Sequence, residues 1–404
     1  PTSGDYAARL GMPKAWAGAI IGMTPCAALV ASVLYSWWSN RSYKDALLFA
    51  ACCSVLGDVL YALALPFNSV SLVFIGRLLN GFGGARAINR RYIADAYSRS
   101  DRTAASASFV TAGALGMAVG PALAVAADLL TPDQDPEEKH WWTVETAPGW
   151  IMFVLWVTFL IVAFLFFEEP TRRGSTPTKA VTEMGPMSEE QPLIRNGNTV
   201  TEVKEVRAER PFYKNIAVMT TLGIYFVLKL VLECLLSSTA TVTSFYFDWN
   251  VTKTGLLLAI LGLLMFPANM VVAILSRRYQ DREIILATEG IILVGTISII
   301  AYGSGENYTA VQYIAASVCC FLGTNMLEGP NMSLLSKTIP RSMARGVFNS
   351  GLLATESGTF GRVVGDFIIS AAGLVGLERI LELTFAPIAV LVSLTLLATW
   401  KLYP

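Results

Sequence analysis

Ten charged side chains interrupt otherwise apolar stretches of this chain: Arg77, Arg86, Arg90, Lys229 and Arg362, together with Asp58, Glu233, Glu328, Glu356 and Asp366. Lys229 and Glu233 lie four residues apart, as do Arg362 and Asp366, the helical spacing at which side chains meet, so each couple is expected to form an ion pair. Arg77, Arg86 and Arg90 share one stretch that has no carboxylate until Asp95, so their counter-charges must come from other elements. Arg86 and Arg90 repel at four-residue spacing, whereas Arg77 projects to the opposite side. The chemistry open to such a set is anion recognition, proton exchange or plain charge pairing. An even balance of cations and carboxylates also permits a purely structural set. Covalent catalysis is not implied. The one histidine, His140, sits in the acidic loop TPDQDPEEKHWW as a solvated residue, which excludes a His-rich zinc site and most histidine-based catalysis. No metal or other cofactor is expected.

The elements that must hold these charges are membrane spans. Hydrophobic residues make up 54% of the 404 positions and charged residues only 15%, against roughly 25% charged in soluble domains. Eleven apolar stretches are each long enough to cross a bilayer: 14–36, 46–66, 69–92, 103–130, 149–167, 215–247, 254–276, 284–302, 309–336, 345–375 and 379–402. All six cysteines fall inside them, so they read as buried thiols rather than a disulfide framework. Thirty basic residues balance thirty acidic ones, leaving no net positive field to hold nucleic acid. One long polar segment, 168–214, is too rich in Pro, Gly, Ser, Thr and charge to bury a core of its own. It divides the chain into an N-terminal helical half (1–167), a linker (168–214) and a C-terminal half (215–404).

Orientation follows from the basic residues, which are retained on the cytoplasmic side. Twenty of the thirty fall in one set of loops, including eight in the linker; five fall in the opposite set; the remaining five lie within spans. The linker and Lys401 are therefore expected to be cytoplasmic. An odd number of spans then places Pro1 on the far side with no helix before it and no signal peptide to carry it there. Five spans precede the linker and six follow it, where a two-repeat transporter has six and six. The first helix of the complete fold is expected to be missing from this sequence.

Three patterns resemble the major facilitator superfamily. The loop SWWSNRSYKD is similar to that family's first cytoplasmic gating loop, with Asn40, Arg41 and Lys44 in matching places, Asn40 standing where the family has an acid and Tyr43 where it has a glycine. A milder copy, SRRYQDRE, supplies Arg278, Asp281 and Arg282. The stretch GALGMAVGPALA resembles the family's fifth-helix gating signature, in which Gly113, Gly116 and Gly120 let neighbouring backbones approach and Pro121 bends the helix. More specifically, GRLLNGFGGARAINRRYIADAYSRSDRTAASASFVTAGALGMAVGPALA, KLVLECLLSSTATVTSFYF, LEGPNMSLLSK and NSGLLATESGTFGRVVGD look like the plant vacuolar phosphate transporters that join an SPX domain to a facilitator domain. The SPX domain, which in that family senses inositol polyphosphates, lies outside this sequence.

That resemblance implies an all-α membrane protein of the major facilitator fold, with two pseudo-repeated six-helix halves. It implies a transporter, not an enzyme, which moves inorganic phosphate from cytosol to vacuolar lumen across the vacuolar membrane. In the superfamily the first, fourth, seventh and tenth helices line the central cavity. Charges buried in a bilayer are costly, by about 2.5–3.5 kcal/mol on insertion scales, so each needs a partner or a task. A tetrahedral oxyanion is best held by forked guanidinium donors. The expected anion shell is therefore Arg77, Asn80, Lys229, Glu328, Asn331 and Arg362. Glu233, Glu356 and Asp366, with Arg86 and Arg90, supply orienting ion pairs or proton coupling. Two other readings stay open: a vacuolar or lysosomal facilitator for another anion or organic solute, and a non-transporting membrane receptor.

In the linker, EEQPLI (Glu189 to Ile194) resembles an acidic dileucine signal for vacuolar sorting, and Asn250 and Asn307 begin Asn-Xaa-Thr triplets in short loops expected to stay unmodified. The charge asymmetry gives a first test. Single cysteines at Thr146 and Thr199, probed with a membrane-impermeant thiol reagent in sealed vesicles, should react from opposite sides. Labelling from the same side would overturn the orientation.

Overall fold

A computed structural model describes residues 3–13, 16–86, 88–89, 92–93, 112–113, 115–116, 118–123, 125–127, 129, 141–169, 215–301, 308–338 and 350–402. Arg90, Asp95, His140, Asn307, EEQPLI and the linker beyond Glu169 lie outside these residues. Helices run over Ser3–Arg9 (α1), Ala17–Trp38 (α2), Tyr43–Leu63 (α3), Val70–Phe82 (α4), Ala147–Phe166 (α5), Ile216–Phe247 (α6), Val251–Leu275 (α7), Asp281–Ser298 (α8), Ala310–Thr338 (α9), Ser350–Val375 (α10) and Ile380–Leu402 (α11). A further apolar helical stretch, Ala118–Ala127, lies between α4 and α5 in the chain. Among the described residues there is no strand.

Among the described residues each expected span carries helix, and eight of the helices there are long and apolar enough to cross a membrane. Helix α8 falls short because it begins on Asp281, Arg282 and Glu283 and carries Glu289 in its interior. The short helix α1 was not expected from the sequence. It is fastened by Tyr6, whose hydroxyl donates to the Tyr61 carbonyl, and by an Arg9–Glu145 ion pair of 2.9 Å.

Short polar residues set the helix boundaries by satisfying amide groups that a helix start leaves open. Ser42 accepts from the Asp45 amide at 3.0 Å to begin α3. Asn250 accepts from the Lys253 amide at 3.0 Å to begin α7, which commits its side chain to the backbone. Gln280 and Glu283 form a reciprocal capping box at α8. Helix α6 is closed by Asp248 at φ 51°, a left-handed conformation that a short polar side chain tolerates.

Glycines decide how closely the helices approach, as expected where no hydrophobic force separates lipid from protein. On α10, a side chain at Gly361 would meet the Phe226 carbonyl oxygen of α6 at 2.3 Å, one at Gly358 would meet Lys229 Cγ at 3.0 Å, and one at Gly365 would meet Cys234 Sγ at 3.2 Å. Gly57 of α3 and Gly76 of α4 each face the other's carbonyl oxygen or its neighbourhood at 2.7 Å. The two groups of helices meet where Gly18 and Gly22 of α2 receive Asp366 and Ser370 of α10. They also meet where Gly255 and Gly262 of α7 face Val125, Pro121 and Ala118.

The GALGMAVGPALA stretch lies at this seam. A side chain at Gly113, Gly116 or Gly120 would meet nothing within 4 Å among the described residues, whereas the partner helix α7 supplies the glycines that permit the approach. Spacing marks a helix as able to pack closely, but which of two facing helices gives way depends on their rotation about their axes.

In the first gating loop Asn40 donates to Ser36 O at 3.4 Å and Arg41 lies over the Trp37 ring at 4.7 Å. Glu169, after α5, also ties this loop to another helix: its Oε1 accepts from Ser42 Oγ at 2.8 Å and the Lys44 amide at 2.6 Å. In the second copy the named residues do bridge helices. Asp281 accepts from Ser333 Oγ of α9 at 2.7 Å, and Arg282 donates to Trp400 O of α11 at 2.8 Å.

The glycine contacts yield a direct comparison of stability. Gly361→Val places its new carbon against backbone that cannot yield and should destabilise the protein by about 1–3 kcal/mol, the cost of overpacking. Gly120→Ala should change stability by less than about 0.5 kcal/mol. Melting in detergent distinguishes the two, and equal melting temperatures would contradict the packing.

Candidate functional site

The close approach of α10 to α6 concentrates charge between α6, α9 and α10. Lys229 Nζ of α6 lies 2.8 Å from Glu328 Oε2 of α9, with side-chain exposures of 13% and 31%. Arg362 Nε of α10 lies 3.6 Å from Glu233 Oε2 of α6. Tyr225 donates its hydroxyl to the Glu328 carbonyl at 3.5 Å, tying α6 to the backbone beneath that carboxylate. Arg362 and Arg86 both lie within electrostatic range of Lys229. Lys229 and Arg362 thus have Glu328 and Glu233 as their ion-pair partners, with Arg86 in electrostatic range of Lys229.

These partners differ from those that spacing suggested. Lys229 pairs with Glu328 rather than Glu233, and Arg362 with Glu233 rather than Asp366. Four-residue spacing aligns the stems on one helix face, but Gly358 lets the Lys229 stem cross toward α9, and Gly361 brings Arg362 beside α6. Asp366 is fully buried and takes a hydrogen bond from Ser237 Oγ at 2.7 Å. Ser237, one turn beyond Glu233 and also 3.3 Å from its Oε1, escaped notice because an isolated serine in an apolar span carries no distinctive signal.

The remaining expected residues are distributed more widely. Arg77 places its guanidinium over the Tyr61 ring at 4.4 Å and lies in electrostatic range of Asp58 and Asp366. Its compensation does come from other helices, α3 and α10. Asn80 donates to Asp58 Oδ1 at 2.8 Å. Asn331 is fully buried and donates to Thr221 O at 3.0 Å, so its amide is used between α9 and α6. Glu356 of α10 accepts from Ser32 of α2, a polar contact between the two groups of helices. Arg86 lies at an exposed position beyond α4. Chemically, the Lys229, Arg362, Glu328 and Glu233 cluster can hold an anion and release it. Each cation already has a carboxylate partner from which it can be drawn, and desolvation strengthens each such contact.

The observed partners can be tested by double-mutant cycles read from melting in detergent. Lys229→Met and Glu328→Gln should be coupled by about 0.5–3 kcal/mol, whereas Lys229→Met and Glu233→Gln should be additive within about 0.5 kcal/mol. Stronger coupling to Glu233 would restore the pairing suggested by spacing.

Comparison with known proteins bears on the architecture. Two relatives aligned over the whole of this chain are "SPX domain-containing membrane protein Os02g45520" of Oryza sativa subsp. japonica, 37% identical over 433 positions, and "SPX domain-containing membrane protein At4g22990" of Arabidopsis thaliana, 36% identical over 437. The chain spans 61% of the length of each. Among solved structures, a D-xylose-proton symporter superposes with a TM-score of 0.70 at 14% identity, covering 99% of this chain and 89% of that one. A bacterial homolog of the human lysosomal transporter Spinster gives 0.65 at 14% identity, covering 99% and 91%. At that identity the likeness is one of fold. The description Major Facilitator Superfamily matches residues 2–399, and the chain belongs to that family of membrane transporters.

Proposed function

We propose that this chain is the membrane-embedded part of a transporter that moves inorganic phosphate from cytosol to vacuolar lumen by alternating access. The observation that carries the reading is the partly buried pair of cations Lys229 and Arg362, each paired to a carboxylate on a facing helix, with Arg86 in electrostatic range of Lys229. The relatives' name as SPX domain-containing membrane proteins supports the same group of transporters. In this reading the oxyanion draws Lys229 from Glu328 and engages Arg362, while Glu233 keeps that guanidinium oriented. Arg77 offers a further forked donor from α4. Asn331, whose amide is tied to Thr221 O, supports α9 rather than touching the anion.

Each half-cycle breaks contacts between the two groups of helices. Gly22 against Asp366 and Gly262 against Ala118 are the seams available on the side away from the linker, and Ser32 to Glu356 lies nearer the linker. A lumen-positive potential supplies about 2.3 kcal/mol per charge per 100 mV to draw an anion inward. A receptor that merely anchors a sensor has no need of cations buried at facing helices, given what burying them costs.

The test is radiotracer uptake into vacuolar vesicles by the full-length protein, comparing phosphate with sulfate, nitrate and chloride, with and without an imposed potential. Phosphate should be taken up preferentially, and a preference for another anion would reassign the substrate. Arg77→Lys keeps the charge but loses the fork. It should weaken apparent phosphate affinity about ten- to hundredfold, the loss of one charge-assisted hydrogen bond. Unchanged affinity at matched protein level and stability would remove Arg77 from the anion shell.

A further inference from the structure

Asp58 has no part in the charge cluster described above, yet it is 6% exposed and lies in the interior of a membrane span. The close contact of Gly57 with Gly76 brings α4 against α3 and seats the Asn80 amide beside Asp58; a side chain at Gly57 would meet Asn80 Oδ1 at 2.3 Å. Gly149 of α5 closes the other side of α3 at the Asp58 carbonyl, 3.1 Å from where its side chain would begin. Between the two polar side chains one hydrogen bond is made, from Asn80 Nδ2 to Asp58 Oδ1 at 2.8 Å. The second oxygen of each, Asp58 Oδ2 and Asn80 Oδ1, is buried without a hydrogen-bond partner among the described residues. Both are acceptors when Asp58 is ionised, so neither can satisfy the other, and a buried polar atom left unsatisfied is costly.

We propose that Asp58 and Asn80 form a proton-binding site. With one proton on Oδ2, Asp58 donates to Asn80 Oδ1 while Asn80 Nδ2 donates to Asp58 Oδ1. One proton thus closes an acid–amide ring, satisfies both remaining acceptors and neutralises a carboxylate inside the bilayer.

Burial favours this neutral state, and Arg77 opposes it. Asp58 makes no ion pair within 4.0 Å among the described residues. From α4 it faces Arg77, in electrostatic range with its guanidinium stacked on Tyr61 of α3. Asp366 of α10 reaches the same guanidinium electrostatically. Of ionisable side chains, α5 carries none and α2 carries Cys26 and Tyr35 alone, the tyrosine hydroxyl being bonded to Phe82 O. The proton site and Arg77 are thereby coupled. Loading Asp58 removes a counter-charge from Arg77, which favours an anion there, and by reciprocity an anion at Arg77 favours the proton. The site itself does not depend on which anion is carried.

Infrared difference spectroscopy of the lipid-reconstituted protein between acidic and alkaline buffer tests this without transport. One component of the carbonyl stretch of protonated carboxylic acids should be present in the wild type, lost in Asp58→Asn and kept in Asp366→Asn. Asp58→Asn reproduces the neutral shape, so its melting temperature should be preserved, and transport of whichever anion is carried should lose the part of its pH dependence that Asp58 supplies. Asn80→Leu removes the acceptor and should shift the band in a chain where Asp58 is untouched, which covers the case of Asp58→Asn failing to fold. A band that survives Asp58→Asn in folded protein, or that is unmoved by Asn80→Leu, would overturn the site. A phosphate-selectivity failure with the band intact would instead sink only the substrate reading.

Discussion

A charge inside a bilayer has no water to turn to, and this constraint organises the interior of the molecule. Where Lys229 meets Glu328 and Arg362 meets Glu233, ionised groups answer one another across helix boundaries. Where no cation lies close enough, hydroxyls and amides serve: Ser237 for Asp366, Ser32 for Glu356, Asn80 for Asp58. Such contacts need helices nearer together than large side chains permit. The glycines of α3, α4 and α10 are thus part of the electrostatics, because they set the distances over which charges are compensated.

The same arrangement makes the interior able to change state. An ion pair between two packed helices is a weak source of net stability, since desolvation offsets much of the attraction. It can therefore be exchanged for a substrate contact at modest cost. Polar contacts that cross between the two groups of helices, at Gly22 with Asp366 and at Ser32 with Glu356, lie on α2 and α10. Those helices also touch the elements bearing Arg77 and Lys229: Thr24 of α2 donates to Arg77 O, and Gly358 of α10 meets Lys229. A movement of α10 against α2 therefore reaches both charged regions through direct contact rather than through an inferred pathway.

Helix ends are fixed by a different set of interactions from those that fill the interior. Glu169 joins the loop before α3 to the end of α5, Arg282 joins α8 to α11, and Arg9 joins α1 to the residues before α5. The bond of Glu169 lies in an exposed position, where such contacts contribute little and are readily remade, whereas the Arg9–Glu145 pair is partly buried.

The sequence by itself determined the helical membrane architecture, because apolar runs of span length in a chain of this pattern form helices in a bilayer, and each expected span carries helix among the described residues. It also pointed to most of the residues that had to be explained, since charges in apolar stretches are visible without coordinates, although Glu289, fully buried in α8, was not among those singled out. Only the tertiary structure decided who answers whom. Glu328 displaced Glu233 as the partner of Lys229, the glycines of α7 face GALGMAVGPALA at the seam, and Asn80 went to Asp58. Spacing along one helix fixes which side chains share a face; the partner is chosen by the rotation and separation of the neighbouring helix. Those are set by glycine contacts between segments as much as 352 residues apart, as at Gly18 and Ser370.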